Sequence, residues 1–218
     1  MAHWARRIGC AALLAVIPAF ATLPARAGDI ITEWDSVKLP PKPELKPVTV
    51  DPKTTALLVL DLMKNNCGVR PRCSPIVPNV KKLIDAARAH NMMIVYNLTG
   101  SRKVEDMVDP SIMPKPGDFM IQNGRGGDKF INSNLDQGLK ERGIKTVIIT
   151  GTSAQGAVAT TSNGATGRGY KAIVPVDGTA SEDAFRELYG IYHLAGGGPA
   201  ALVTNVTVTR SDLIKYGD

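Results

Sequence analysis

Apolar and polar positions follow one another along this chain in two rhythms. "TTALLVLD" (54–61), "MMIVYNLT" (92–99), "IKTVIIT" (144–150), "YKAIVPV" (170–176) and "AALVTNVTV" (200–208) are short runs, apolar almost throughout. Between them lie stretches with helical spacing. In "NVKKLIDAARAHN" (79–91), Val80, Leu83, Ile84 and Ala87 fall on one face. "NSNLDQGLKERG" (132–143) opens on cap residues and closes on Gly143. Residues 154–169 read as a helix of small residues. "SEDAFRELYGIYHLA" (181–195) has Ser181 as its expected N-cap, with Glu182 and Asp183 in the first turn. Strands apolar on both faces and separated by helices predict an α/β fold of three α/β/α layers around a central parallel sheet. Right-handed crossovers then bring the loops that follow the strands to one edge, where open α/β sheets bind ligands.

The ends of the chain read differently. "MAHWARRIGCAALLAVIPAFATLPARA" (1–27) carries Arg6 and Arg7, then an apolar run broken by Pro18, then "ARA". This is the pattern of a secretory signal peptide, too short and too interrupted for a membrane anchor. It predicts a periplasmic or secreted protein with no membrane association once the leader is removed. Cleavage after Ala27 takes away Arg6, Arg7 and Arg26 and no acid, which halves the formal net charge of +6. With no long basic run left, nucleic acid is not an expected partner. Residues 28–53 hold Pro40, Pro41, Pro43, Pro47 and Pro52. A segment so rich in proline is expected to form neither a helix nor a central strand. It reads as an arm that packs on the domain (54–218) or on a neighbouring subunit, which leaves a homo-oligomer open. Cys67 and Cys73, six residues apart in an exported chain with no histidine nearby, predict a structural disulfide. That spacing suits neither a C-x-x-C redox pair nor a zinc site.

Three places on the ligand-binding edge carry candidate chemistry. Asp61 ends the first apolar run, where burial would raise its pKa; a loop-capping Asp is the alternative. Lys129, in "GRGGDKFINS", follows a glycine-rich loop that matches neither a P-loop nor a dinucleotide fingerprint; a solvated surface lysine is the alternative. "GTSAQGAVATT" (151–161) crowds Gly151, Thr152, Ser153, Gln155, Gly156 and Ala157 into a strand-to-helix junction. It could aim backbone N–H groups at an anion, or serve only for close packing.

Taken in order, these segments resemble the isochorismatase-like superfamily, the cysteine hydrolases, across about residues 54–210. Asp61 matches the family's strand-ending Asp and Lys129 its mid-chain Lys. Gly151, Val158 and Thr161 match its G-x-x-T-x-x-C-V-x-x-T elbow. The resemblance implies a Rossmann-like isochorismatase-like hydrolase fold and a small-molecule substrate. It further implies a cis peptide at Thr152–Ser153 and an oxyanion hole from the N–H groups of Ser153 and Ala157. The chain departs from the pattern at two positions: Ala157 takes the place of the nucleophilic Cys, and Ala154 that of the Thr. A methyl group cannot attack a carbonyl, so the covalent thioester route is closed. The nicotinamidase branch has a histidine-rich metal site. Here His3 belongs to the leader and only His90 and His193 remain, so neither metal nor cofactor is expected.

Some members of the superfamily also lack the cysteine and cleave a vinyl ether, with the Asp protonating the substrate. By that resemblance, Asp61 is a general acid or base and Lys129 its partner. Two other readings stay open. One is a degenerate relative that binds a small molecule or a partner without turnover. The other is a hydrolase using Ser153 or an activated water. Tyr192 and His193 either line the pocket or pack elsewhere.

Overall fold

The computed structural model describes residues 28–99, 103–124, 126–197 and 205–217. The expected leader (1–27) and the start of the last apolar run (200–204) lie outside the described residues. The chain divides into two units, residues 1–41 and 42–218. The described part of the first contains a one-turn helix, α1 (Ile30–Glu33). Its N-cap Asp29 accepts hydrogen bonds from the N–H groups of Ile31 and Thr32. This overturns the expectation of no helix in residues 28–53: the turn closes before Pro40, the first of the prolines, so none of them interrupts it.

In the second unit, β1 (Val48–Val50) is followed by β2 (Thr55–Leu60), α2 (Lys64–Gly68) and α3 (Val77–Ala89). Next come β3 (Met93–Asn97), β4 (Phe119–Met120), α4 (Leu135–Glu141) and β5 (Thr146–Thr152). The remaining elements are α5 (Ala159–Thr166), β6 (Lys171–Pro175), β7 (Thr179–Ala180), α6 (Ala184–Tyr192), β8 (Val206–Thr209) and β9 (Ile214–Tyr216). The main sheet is parallel, in the order β4-β3-β2-β5-β6-β8, with β7 pairing onto the end of β5. β1 lies in the proline-rich segment but pairs with β9 in a separate two-stranded sheet. The same segment is tied to β8, because Lys46 N–H donates to Val208 O and Thr209 Oγ1 donates to Lys46 O.

Every residue of β2 is buried. Leu57 and Val59 face the layer of Val80, Leu83 and Ile84 on α3. Leu58 and Leu60 face Leu135 and Leu139 of α4 and Val158 and Ala165 on the other side. Apolar covering on both faces is what makes the strands continuous rather than alternating runs. The chain leaves β2 toward β3 on one side and reaches β5 on the other. The strand order therefore reverses between β2 and β5, which opens a crevice at their C-terminal ends.

Two helix starts differ from the sequence reading. Residues 154–158 form a wide π turn, kinked at Gly156, before α5 begins. The N-cap of α6 is Asp183, whose carboxylate accepts from Arg186 N–H, and not Ser181. Both residues are good caps, and Ser181 is drawn away by a tertiary partner.

Candidate active site

The register sets the site. Leu60, the last residue of β2, pairs with Asn97 on one flank and Gly151 on the other. Asp61 follows at once, in the left-handed region (φ 58°) that Asp tolerates better than most residues. Its N–H donates to Asn97 O (3.1 Å), and its carbonyl accepts from Met63 N–H (2.8 Å) and Asn66 Nδ2 (2.9 Å). With the backbone held from both sides, the carboxylate has a defined place. Oδ1 accepts from Asn97 Nδ2, and Oδ2 lies 2.8 Å from Lys129 Nζ.

Lys129 is not the solvated surface lysine of the alternative reading; it is 1% exposed. Its ammonium also donates to Gly126 O (2.8 Å) and, at the limit of distance, to Gly124 O (3.5 Å). These contacts and the ion pair match its three donors. Thr161 fastens its backbone, because Oγ1 accepts from Lys129 N–H (3.1 Å) and donates to Gly127 O (3.2 Å). The glycine-rich loop thus supplies carbonyls to a cation. Burial pushes the Asp61 carboxyl above the ordinary value of 3.8, and outweighs the opposing pull of Lys129, Asn97 and Arg70.

The elbow lies beside this pair. Gly151 has φ 119°, and a Cβ there would sit 2.0 Å from Leu60 O, so only glycine lets β5 lie this close to β2. The Thr152–Ser153 peptide is cis. Ser153 O accepts from the N–H groups of Gly156 (3.0 Å) and Val158 (3.1 Å). Ala154 and Ala157 are buried and Ser153 is half-buried. Gly190 of α6 presses on the turn, since a Cβ there would meet Ala154 C at 2.7 Å. Thr152 Oγ1 is buried with no hydrogen-bond partner among the described residues. A buried hydroxyl left in that condition carries a desolvation cost that a ligand or water relieves.

A model of the isochorismatase domain matches residues 55–207. The chain belongs to the isochorismatase family. It is 29% identical over 154 residues to the uncharacterized isochorismatase family protein YwoC of Bacillus subtilis, covering 60% of this chain and 79% of that protein. It is 28% identical over 131 residues to N-carbamoylsarcosine amidase of an Arthrobacter species, with 48% of this chain and only 49% of the amidase covered. Among solved structures, an isochorismatase-like hydrolase from Alkaliphilus metalliredigens superposes with a TM-score of 0.63 at 25% identity, over 73% of this chain and 87% of that one. A cysteine hydrolase from Pseudomonas syringae gives a TM-score of 0.65 at 21% identity, over 78% and 94%, and shares the fold.

In this isochorismatase-family chain the other candidates divide clearly. His193 packs its Nε2 against Asn163 Nδ2 (2.9 Å) and stacks on Tyr189. His90 stacks on Tyr216, just ahead of β3 at the opposite edge of the sheet. Cys67 and Cys73 are paired as a disulfide, with Cα atoms 5.2 Å apart. Among the described residues, no group of three His, Cys, Asp or Glu side chains is arranged to hold a metal ion.

Sequence reasoning missed four participants. Asn97 is the last residue of β3, near the end of the second apolar run, and that position was its only signal. Ser181, Glu182 and Arg70 form a polar chain onto the elbow. Ser181 Oγ accepts from Ala154 N–H (3.1 Å) and donates to Gln155 Oε1. Gln155 Nε2 donates to Glu182 Oε2 (3.1 Å), and Glu182 Oε1 accepts from Arg70 Nε (2.9 Å).

Proposed function

We propose that this chain is an exported hydrolase of a small molecule that works without a thiol nucleophile. Asp61 is the general acid or base and Lys129 holds it. The backbone N–H groups of Ser153 and Ala157 receive the developing negative charge, at the position that the family resemblance gives to a nucleophilic cysteine. The observation that carries this reading is the buried ion pair of Asp61 and Lys129 at the C-terminal ends of β2 and β5. A carboxyl whose pKa is raised by burial keeps its proton to higher pH than an exposed one. Below that pKa Asp61 is the neutral acid and can donate its proton to a leaving oxygen or to the carbon of a vinyl ether; above it Asp61 is the carboxylate of the ion pair and can act only as a base.

Three further facts support the thiol-free part. Beyond residue 27 the only cysteines are Cys67 and Cys73, and both are tied in the disulfide. His90 and His193 have other partners, so Ser153 has no histidine base among the described residues. Thr152 Oγ1, in the elbow, is buried with no hydrogen-bond partner among the described residues, so a bound substrate or water can supply its missing bond. Export is supported by the leader pattern of residues 1–27 and by the disulfide, which persists in oxidising compartments. Relatives named as amidases and ureidoacrylate amidohydrolases support a small-molecule substrate.

The second reading, a binding protein without turnover, is favoured by the methyl group at Ala157. One screen separates the two. Residues 28–218 are assayed against vinyl ethers, amides and esters beside Asp61→Asn. The hydrolase reading expects turnover that falls about 10²–10⁴-fold in Asp61→Asn. Turnover equal in both proteins overturns the role of Asp61. Binding without turnover of any substrate class gives the binding reading.

A further inference from the structure

The loop closed by Cys67 and Cys73 carries two arginines: Arg70 reaches the segment that leads into α6, and Arg72 reaches the first turn of α6 itself. Arg72 grips Glu187 with both ends of its guanidinium, Nε to Oε1 (2.8 Å) and Nη2 to Oε2 (2.7 Å). Glu187 Oε1 also accepts from Ser181 N–H (3.1 Å). Arg70 binds Glu182, and its Nη1 donates to Asn66 O (3.1 Å); Asn66 in turn donates to the Asp61 carbonyl. Ser181 is fully buried and Arg70 is partly exposed, so the chain of bonds runs from the surface loop to the floor of the site.

Every link is directional. Gln155 can present Oε1 to Ser181 only while Nε2 faces Glu182, because the amide has one accepting and one donating end. Ser181 accepts from Ala154 N–H and gives its one proton to Gln155, which fixes the hydroxyl oxygen over the turn. Against the opposing effect of burial, Glu182 is held below its ordinary carboxyl pKa by its own backbone N–H, by Gln155 and by Arg70, which bridges Glu182 and the Asn66 carbonyl with two arms of its guanidinium fork. The disulfide shortens the loop that presents this fork and so limits where Arg70 can be.

From this geometry we infer that Arg70 is a positioning residue: the disulfide loop holds it, and it acts through Glu182, Gln155 and Ser181 to fix the first turn of the elbow at Ala154. The inference rests on the site proposed above, and it adds a role for the loop, which otherwise only braces the fold. Like Lys129, Arg70 is a cation whose field acts on the Asp61 carboxyl. Loss of Arg70 therefore moves the pH dependence of turnover, which a purely structural brace would leave in place.

The test uses residues 28–218 with the disulfide intact. Hydrogen exchange is followed at residues 153–158 in wild type, Arg70→Gln, Glu182→Gln and Arg210→Gln. Arg210 pairs with Asp212 on the surface and is the control. Arg70→Gln and Glu182→Gln should each speed exchange of the elbow about tenfold, with the β2 and β5 amides unchanged. For a substrate that turns over, kcat should fall about tenfold with KM within about twofold, and the alkaline limb should move to higher pH in Arg70→Gln. Arg70→Lys should recover part of kcat. Elbow exchange unchanged in both Arg70→Gln and Glu182→Gln overturns the inference, even if the protein is an active hydrolase. Faster exchange in a protein that turns over nothing supports the positioning role and sinks the hydrolase reading instead.

Discussion

Around Asp61, a carboxylate and an ammonium are buried 2.8 Å apart and tied in by Asn97, Gly126 and Gly124. Around Ala157, the same site is built from small side chains, a kinked turn and one buried serine. The first half is held by charge taken out of water, where each partner is costly without the other. The second is held by close approach of backbones, with a single polar chain leading out to Arg70. An energetic asymmetry follows. The charged half should fail abruptly when one group is removed, and the packed half should fail by degrees. A site that acts by proton transfer needs the first kind of rigidity for the acid and the second for the surface that receives charge.

The largest effect should come from breaking the ion pair. Lys129→Met leaves Asp61 as an unpaired buried carboxylate or forces it to stay protonated. Denaturant unfolding should show a loss of about 3–5 kcal/mol, with turnover abolished. Next comes the closest backbone approach in the elbow. Gly151→Ala places a methyl against Leu60 O at a φ that alanine rarely adopts, and should cost at least about 2 kcal/mol by the same measurement. Thr161→Val tests the link between the two halves, since it keeps the volume and removes the hydroxyl shared by Lys129 N–H and Gly127 O. A loss of about 1–2 kcal/mol is expected. Lys81→Ala, in an exposed pair with Asp85 on α3, should change stability by less than about 0.5 kcal/mol and leave turnover unaltered. If Lys129→Met and Thr161→Val gave equal losses, the contrast between charge and packing would not hold.

The strands of the main sheet were legible because β2, β3, β5 and β6 are buried on both faces, and such runs stand out in any window of the chain. β4 and β7 are two residues long, and β1 and β9 three, too short for a period to show. β1 also lies among prolines, which argue against a strand until a partner outside the main sheet is known. At the site, Asp61 and Lys129 were legible as residue types at strand and loop ends, together with a family resemblance. Their contact was not, because it depends on the crossover that brings residue 129 back over β2. Ser181 shows the limit most clearly. Its neighbours Glu182 and Asp183 make it a fine helix cap, and nothing local reveals that Ala154 N–H, on another element, takes its oxygen instead.

The pH dependence of turnover tests the central claim most directly. A carboxyl with a raised pKa that must carry a proton gives kcat/KM that is flat at low pH and falls as pH rises through that pKa. The sign is opposite for a required carboxylate base. The midpoint should lie above 3.8, the ordinary aspartate value, because burial raises Asp61. In Asp61→Asn the limb should vanish along with most of the rate. A limb of the same midpoint in wild type and in Asp61→Asn would contradict the account, because the titrating group would then lie elsewhere.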